Sequence, residues 1–225
     1  MLPIDSSFAD RANPAIRPNL NRGRTHFTYY PGMIRIPEAS APDIKNKSFR
    51  ITADVEIPQD GVDGVIVTQG GRFGGWGLLL LDRKPIFAYA FSNQDGDKYP
   101  YQKKYKYRIA GADQLASGKH TIVFDFAYDG GGIGRGGNGT LIVDGKTVGE
   151  GRIDLTQPIR FSLDESFDVG QDTGTPVIDE YDGKMPFKLT GVLNKVEIDL
   201  GANQLTPQKR GELDRLRRDF ALRMQ

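Results

Sequence analysis

The sequence predicts an all-β protein, a two-sheet antiparallel sandwich with a single helix near the C-terminus. Three observations carry this. Apolar residues alternate in short segments: Ile51, Ala53, Val55 and Ile57 share one face, as do Ile122, Phe124, Phe126 and Tyr128. Turn signals recur between those segments, among them Pro31-Gly32, Gly70 to Gly75 and Asp144-Gly145. Helical periodicity is confined to Leu213, Leu216 and Phe220, behind Thr206-Pro207, a hydroxyl N-cap followed by proline at the first helical position.

The elements follow in chain order. Residues 1–25 hold Pro3, Pro14 and Pro18, show no period, and read as an extended arm or linker. Residues 26–200 read as the sandwich. Phe27 to Tyr30 and Met33 to Ile36 flank the Pro31-Gly32 turn. Ser48 to Ile57 and Gly64 to Thr68 are strands, and Gly70 to Gly75 is a bend. Trp76 to Leu81 leads through Asp82-Arg83-Lys84-Pro85 into Ile86 to Phe91. Ser92 to Lys104 is polar, and Tyr105 to Ile109 resumes the sheet. Ser117 to Asp154 is a three-strand antiparallel meander. Its first connector is Asp129 to Gly139, rich in glycine. Its second is Asp144-Gly145, a pair suited to a type I′ turn because both positions need positive φ. Ile159 to Leu163 is a strand, Asp164 to Gly183 an acidic loop, and Phe187 to Leu200 the last strand. Residues 201–225 contain the helix, with charge pairs expected at Glu212/Arg215 and Asp214/Arg218.

Composition narrows the function. The 225 residues carry a net charge of +1, which calls for neither nucleic acid nor an anionic membrane as partner. There is no cysteine, so disulfides, thiolate metal sites and cysteine nucleophiles are excluded. The longest apolar run, Leu78 to Leu81, is too short to span a bilayer. Met1 to Asp5 lacks the basic and apolar regions of a signal peptide.

Three stretches carry a family likeness: Gln69-Gly70-Gly71-Arg72-Phe73-Gly74-Gly75-Trp76, Phe126-Ala127-Tyr128-Asp129-Gly130-Gly131-Gly132, and Asp168-Val169-Gly170-Gln171-Asp172-Thr173-Gly174-Thr175-Pro176-Val177. They resemble the C-terminal portion of large bacterial arylsulfatases. Gly118-Lys119-His120 through Leu141 to Lys146 is similar to the central hairpins of laminin-G-like, concanavalin A-like jelly rolls. The resemblance spans roughly Leu2 to Leu200 and none of a sulfatase catalytic domain. It implies a jelly roll that packs on, and shapes the mouth of, a sulfatase domain supplied elsewhere, in a bacterial cytoplasm or periplasm. The formylglycine motif of that family, C-x-P-S-R or S-x-P-x-R, is absent, since Ser40-Ala41-Pro42-Asp43 fails at the basic position. No G-x-S-x-G occurs, and His26 and His120 are the sole histidines. Gly132 to Gly137 fits G-x-G-x-x-G, but strand-formers follow where a dinucleotide site needs a helix.

Two groups of candidate site residues remain. Asp164, Asp168 and Asp172 lie in a glycine-punctuated acidic loop, a setting that suits Ca²⁺, and laminin-G-like relatives bind calcium on such loops. The same carboxylates also serve as turn caps. Trp76, Tyr99, Tyr101 and Lys103 combine aromatic faces with a cation, as a sugar-stacking platform for a sulfated glycan would. They equally suit strands with buried tyrosines and solvated lysines. The expected function is a non-catalytic accessory domain of an arylsulfatase-like protein, partnered by a sulfatase domain or subunit. The alternative is a free-standing carbohydrate-binding module. Asn46-Lys47-Ser48 and Asn138-Gly139-Thr140 are acceptor sequons with meaning only in a eukaryotic secretory setting.

Overall fold

The computed structural model describes residues 21, 23–91 and 106–223, without the side chains of 221–223. Two antiparallel sheets face each other. One has the order β1-β11-β2-β7-β8-β9, the other β10-β3-β4-β5-β6. The strands are β1 (His26–Tyr29), β2 (Phe49–Ile57), β3 (Gly64–Gly71), β4 (Gly74–Leu81), β5 (Lys84–Ala90) and β6 (Lys106–Ala110). They continue as β7 (Gly118–Tyr128), β8 (Arg135–Val143), β9 (Lys146–Leu155), β10 (Phe167–Val169) and β11 (Val192–Leu200). The helix α1 spans Pro207–Arg223. This is the predicted sandwich of jelly-roll type.

The alternation read in β2 and β7 becomes the inter-sheet core. Ile51, Ala53, Ile122 and Phe124 are fully buried, while Arg50 and Asp125 pair across the outer face. Phe87 of the second sheet stacks on Phe124 of the first, with ring centroids 3.5 Å apart. Trp76, Phe167 and Tyr29 extend that aromatic layer. Asp144 and Gly145 have φ of 50° and 78°, as the type I′ reading requires.

Four expectations need correction. The glycine-rich connector is shorter than Asp129 to Gly139, because β8 already begins at Arg135. Gly137 and Gly139 are strand residues over which aromatic rings lie: a Cβ on Gly137 would stand 2.5 Å from the Phe126 ring, and one on Gly139 2.7 Å from Phe124. Met33 to Ile36 contributes a single bridge, Ile36 to Phe167. Ile159 to Leu163 is not a strand, since the Phe161 amide donates to the Glu38 carboxylate instead of a ladder. The acidic segment after β10 is a strap rather than a solvated loop. Val177, Ile178, Tyr181 and Phe187 cover Val65, Leu79, Ile86, Ala88 and Ala90 on the outer face of the β3–β5 sheet.

In α1, Thr206 Oγ1 accepts the Lys209 amide at 3.3 Å, the predicted cap. Leu213 is buried, but Leu216 and Phe220 stay partly exposed. The observed helix pairs are Lys209–Glu212 and Asp214–Arg217, three residues apart, in place of those expected.

Candidate functional site

The strand order sorts the connections by end. One end of the sandwich holds the two-residue turns Asp82-Arg83 and Asp144-Gly145, the loops 58–63 and 111–117, and both ends of the strap 170–191. The opposite end collects 37–48, the Arg72-Phe73 turn, 129–134, 156–166 and the approach to α1. Long loops on a rigid scaffold are where sandwiches carry recognition surfaces.

These loops are tied by a buried polar lock. The Lys45 side chain is 6% exposed, with Nζ 2.8 Å from both Glu38 and Asp43 and 5.2 Å from the Phe161 ring centroid. Glu38 also accepts the amides of Phe161 and Ser162. Burial opposes charge on Asp43, yet the Lys45 and Lys47 ammonium groups overcome it and hold its carboxyl at about 2. Burial likewise opposes charge on Lys45, and its two carboxylates outweigh it to raise the ammonium above its ordinary value. Asn46, at φ 59°, accepts the Gly134 amide at 2.8 Å and donates to Pro158 O at 2.9 Å. The Tyr128 hydroxyl donates to Gly132 O and accepts the Arg135 amide. The Tyr89 hydroxyl accepts the Gln157 amide at 2.6 Å. A small cavity of about 10 Å³ lies among Ile44, Lys45, Asn46, Tyr89, Tyr128 and Thr156. Its cation is held by its own two carboxylates, so the cluster fixes loops and Lys45 is not free for an anionic ligand.

Sequence reasoning passed over this lock. Lys45 and Asn46 sit in a polar run that reads as solvated, and their partners lie far away in the chain. The one local signal was Asn46 itself, a residue type that tolerates positive φ. Its burial and its bonded amide also leave the Asn46 sequon inaccessible in the folded protein.

The predicted site residues do not assemble. Trp76 is fully buried, and its indole N–H donates to Gln69 Oε1 at 3.2 Å. It is a core residue with no face for a sugar, because its position in β4 points between the sheets. Tyr99, Tyr101 and Lys103 lie outside the described residues. Asp164 is exposed and accepts from Ser162. Asp168 is buried and accepts from Arg35 N, Ser166 Oγ, Thr173 N and Thr173 Oγ1. Asp172 is buried and accepts from Gly174 N and Tyr181 OH. The oxygens of Asp168 and Asp172 are taken by protein donors. Among the described residues no three His, Cys, Asp or Glu side chains are grouped to hold a metal ion. Asp168 and Asp172 anchor the strap, while Asp164 accepts from Ser162 at the surface.

The fold is a two-sheet antiparallel sandwich of jelly-roll type with one C-terminal helix. No family model and no curated protein matches the sequence. Among solved structures the chain is similar to the CBM40 of Ruminococcus gnavus IT-sialidase, at 12% identity and TM-score 0.43, covering 86% of this chain and 96% of that one. It is similar to domains LG4-5 of the mouse laminin α1 chain, at 12% identity and TM-score 0.41, covering 81% and 40%. It is also similar to the K499G mutant of NanB sialidase from Streptococcus pneumoniae, at 12% identity and TM-score 0.47, covering 82% and 27%. At this identity the likeness concerns strand arrangement and carries nothing about a ligand.

Proposed function

We propose that the chain is a non-catalytic carbohydrate-binding sandwich whose recognition surface is its loop end. The observation behind this reading is the buried lock at that end: Lys45 pairs with Glu38 and Asp43, and Glu38 also holds the amides of Phe161 and Ser162, so loops 37–48 and 156–166 are fixed against each other. A preorganised set of loops lowers the entropy lost on binding. The test is retention on immobilised oligosaccharides: 3′-sialyllactose, a chondroitin sulfate tetrasaccharide and a neutral galactan. Retention on any of them that is competed by free sugar supports the reading, and retention on none contradicts it.

A second reading, the accessory domain of an arylsulfatase, is favoured by one feature. Leu216 is 41% and Phe220 38% exposed on a helix at that same end, apolar surface that a neighbouring domain would cover. Co-purification with a sulfatase subunit from the native host tests it.

A further inference from the structure

We propose that the Arg72-Phe73 turn is the saccharide platform of the loop end, taking the C–H face of one pyranose ring on Phe73. This rests on the carbohydrate reading. Phe73 is 69% exposed, the most exposed large hydrophobic side chain among the described residues. A turn between β3 and β4 needs no aromatic there, and an exposed ring adds little to stability.

The turn beneath it is immobilised from several directions. The Arg72 amide donates to Thr175 Oγ1 at 3.0 Å, and the Gly70 amide to Ser166 O at 3.0 Å. A Cβ on Gly71 would stand 2.4 Å from Thr175 O, and one on Gly74 2.4 Å from Phe161 O, so the backbone lies flush on both neighbours. The Arg72 guanidinium is paired with Asp182 of the strap. Phe73 is therefore an aromatic ring held out to solvent on a fixed mount.

The surroundings select a sugar over a protein partner. Leu163, 52% exposed, lies on the segment 161–166 that the turn packs against, amid Arg160, Ser162 and Asp164. Phe73 and Leu163 among polar neighbours fall short of the about 800 Å² per partner that a stable protein interface buries. Arg72, next to Phe73 in the chain, and its ion-pair partner Asp182 carry the donor and acceptor types that sugar hydroxyls use.

The experiment compares wild type, Phe73→Ala and Phe73→Trp by titration with 3′-sialyllactose, the chondroitin sulfate tetrasaccharide and the galactan. The sole native tryptophan, Trp76, is buried, so emission from position 73 reports on the turn. For a sugar that wild type binds, Phe73→Ala weakens affinity at least about tenfold with the melting temperature unchanged. Phe73→Trp retains affinity, and its emission shifts on saturation. Equal affinity in Phe73→Ala, or unchanged Phe73→Trp emission at saturation, overturns the platform and leaves the carbohydrate reading standing. If wild type binds none of the three, the reading fails and the platform with it.

Discussion

Single residues decide two measurable properties. Lys45, at 6% exposure, sits between Glu38, at 12%, and the half-exposed Asp43. Removing one partner of a buried pair strands the other, so Lys45→Met lowers unfolding stability by ~3–5 kcal/mol in urea titration. The double variant Glu38→Gln, Lys45→Met recovers part of that loss, since no buried charge is left unpaired. Asp172 behaves in the opposite way. Burial pushes its carboxyl up to about 6 against the hydrogen bonds from Tyr181 and Gly174, with Asp168 and Glu165 adding repulsion. The folded state thus holds this proton more tightly than the unfolded chain does. The group's contribution is full below the ordinary carboxylate range and is lost as pH rises through about 6. Relative to Asp172→Asn, wild type loses roughly 2 kcal/mol between pH 4 and 7. A flat difference across that window contradicts the assignment. Neither role was legible from spacing. Lys45 and Asp172 are charged residues in polar segments, and burial of such groups is set by partners distant in sequence.

At the scale of elements, the parts with local signals were legible and the rest were not. The period of two in β2 and β7, the Asp144-Gly145 turn and the Thr206 cap each depend on neighbours a few residues away. The strap does not: Val177, Ile178, Tyr181 and Phe187 have no regular spacing, and only the sheet beneath reveals why they are apolar. The glycines of β8 misled for a related reason, because glycine density signals a loop unless a ring from the next strand fills the space. That reading has a test. Gly139→Ala places a methyl against Phe124 and Ile109 and costs ~1–3 kcal/mol as overpacking. A neutral effect by thermal melt contradicts the packing account of β8. The helix offers a second test. Deleting 206–225 uncovers what Leu213 packs against, so the sandwich stays folded, its melting temperature falls, and it binds more hydrophobic dye. Unchanged dye binding makes α1 a dispensable tail.

For the whole molecule, the fold class was readable from the sequence and the proposed recognition surface was not. Of the residues that draw attention in the sequence, Trp76 fills the space between sheets, while Asp168 and Asp172 fasten the outer cover. The proposed surface is the end where loops 37–48, 129–134 and 156–166 meet the Arg72-Phe73 turn, tied by contacts between residues far apart in the chain. The most direct measurement is a map of backbone amide shifts in ¹⁵N-labelled full-length chain, titrated with an oligosaccharide that it retains. The account predicts shifts concentrated at Glu38 to Ser48, Arg72 to Gly74, Gly130 to Gly134 and Thr156 to Ser166, with Asp82-Arg83 and Asp144-Gly145 unmoved. Shifts centred on those two turns, or on the outer face of the six-stranded sheet, would contradict it.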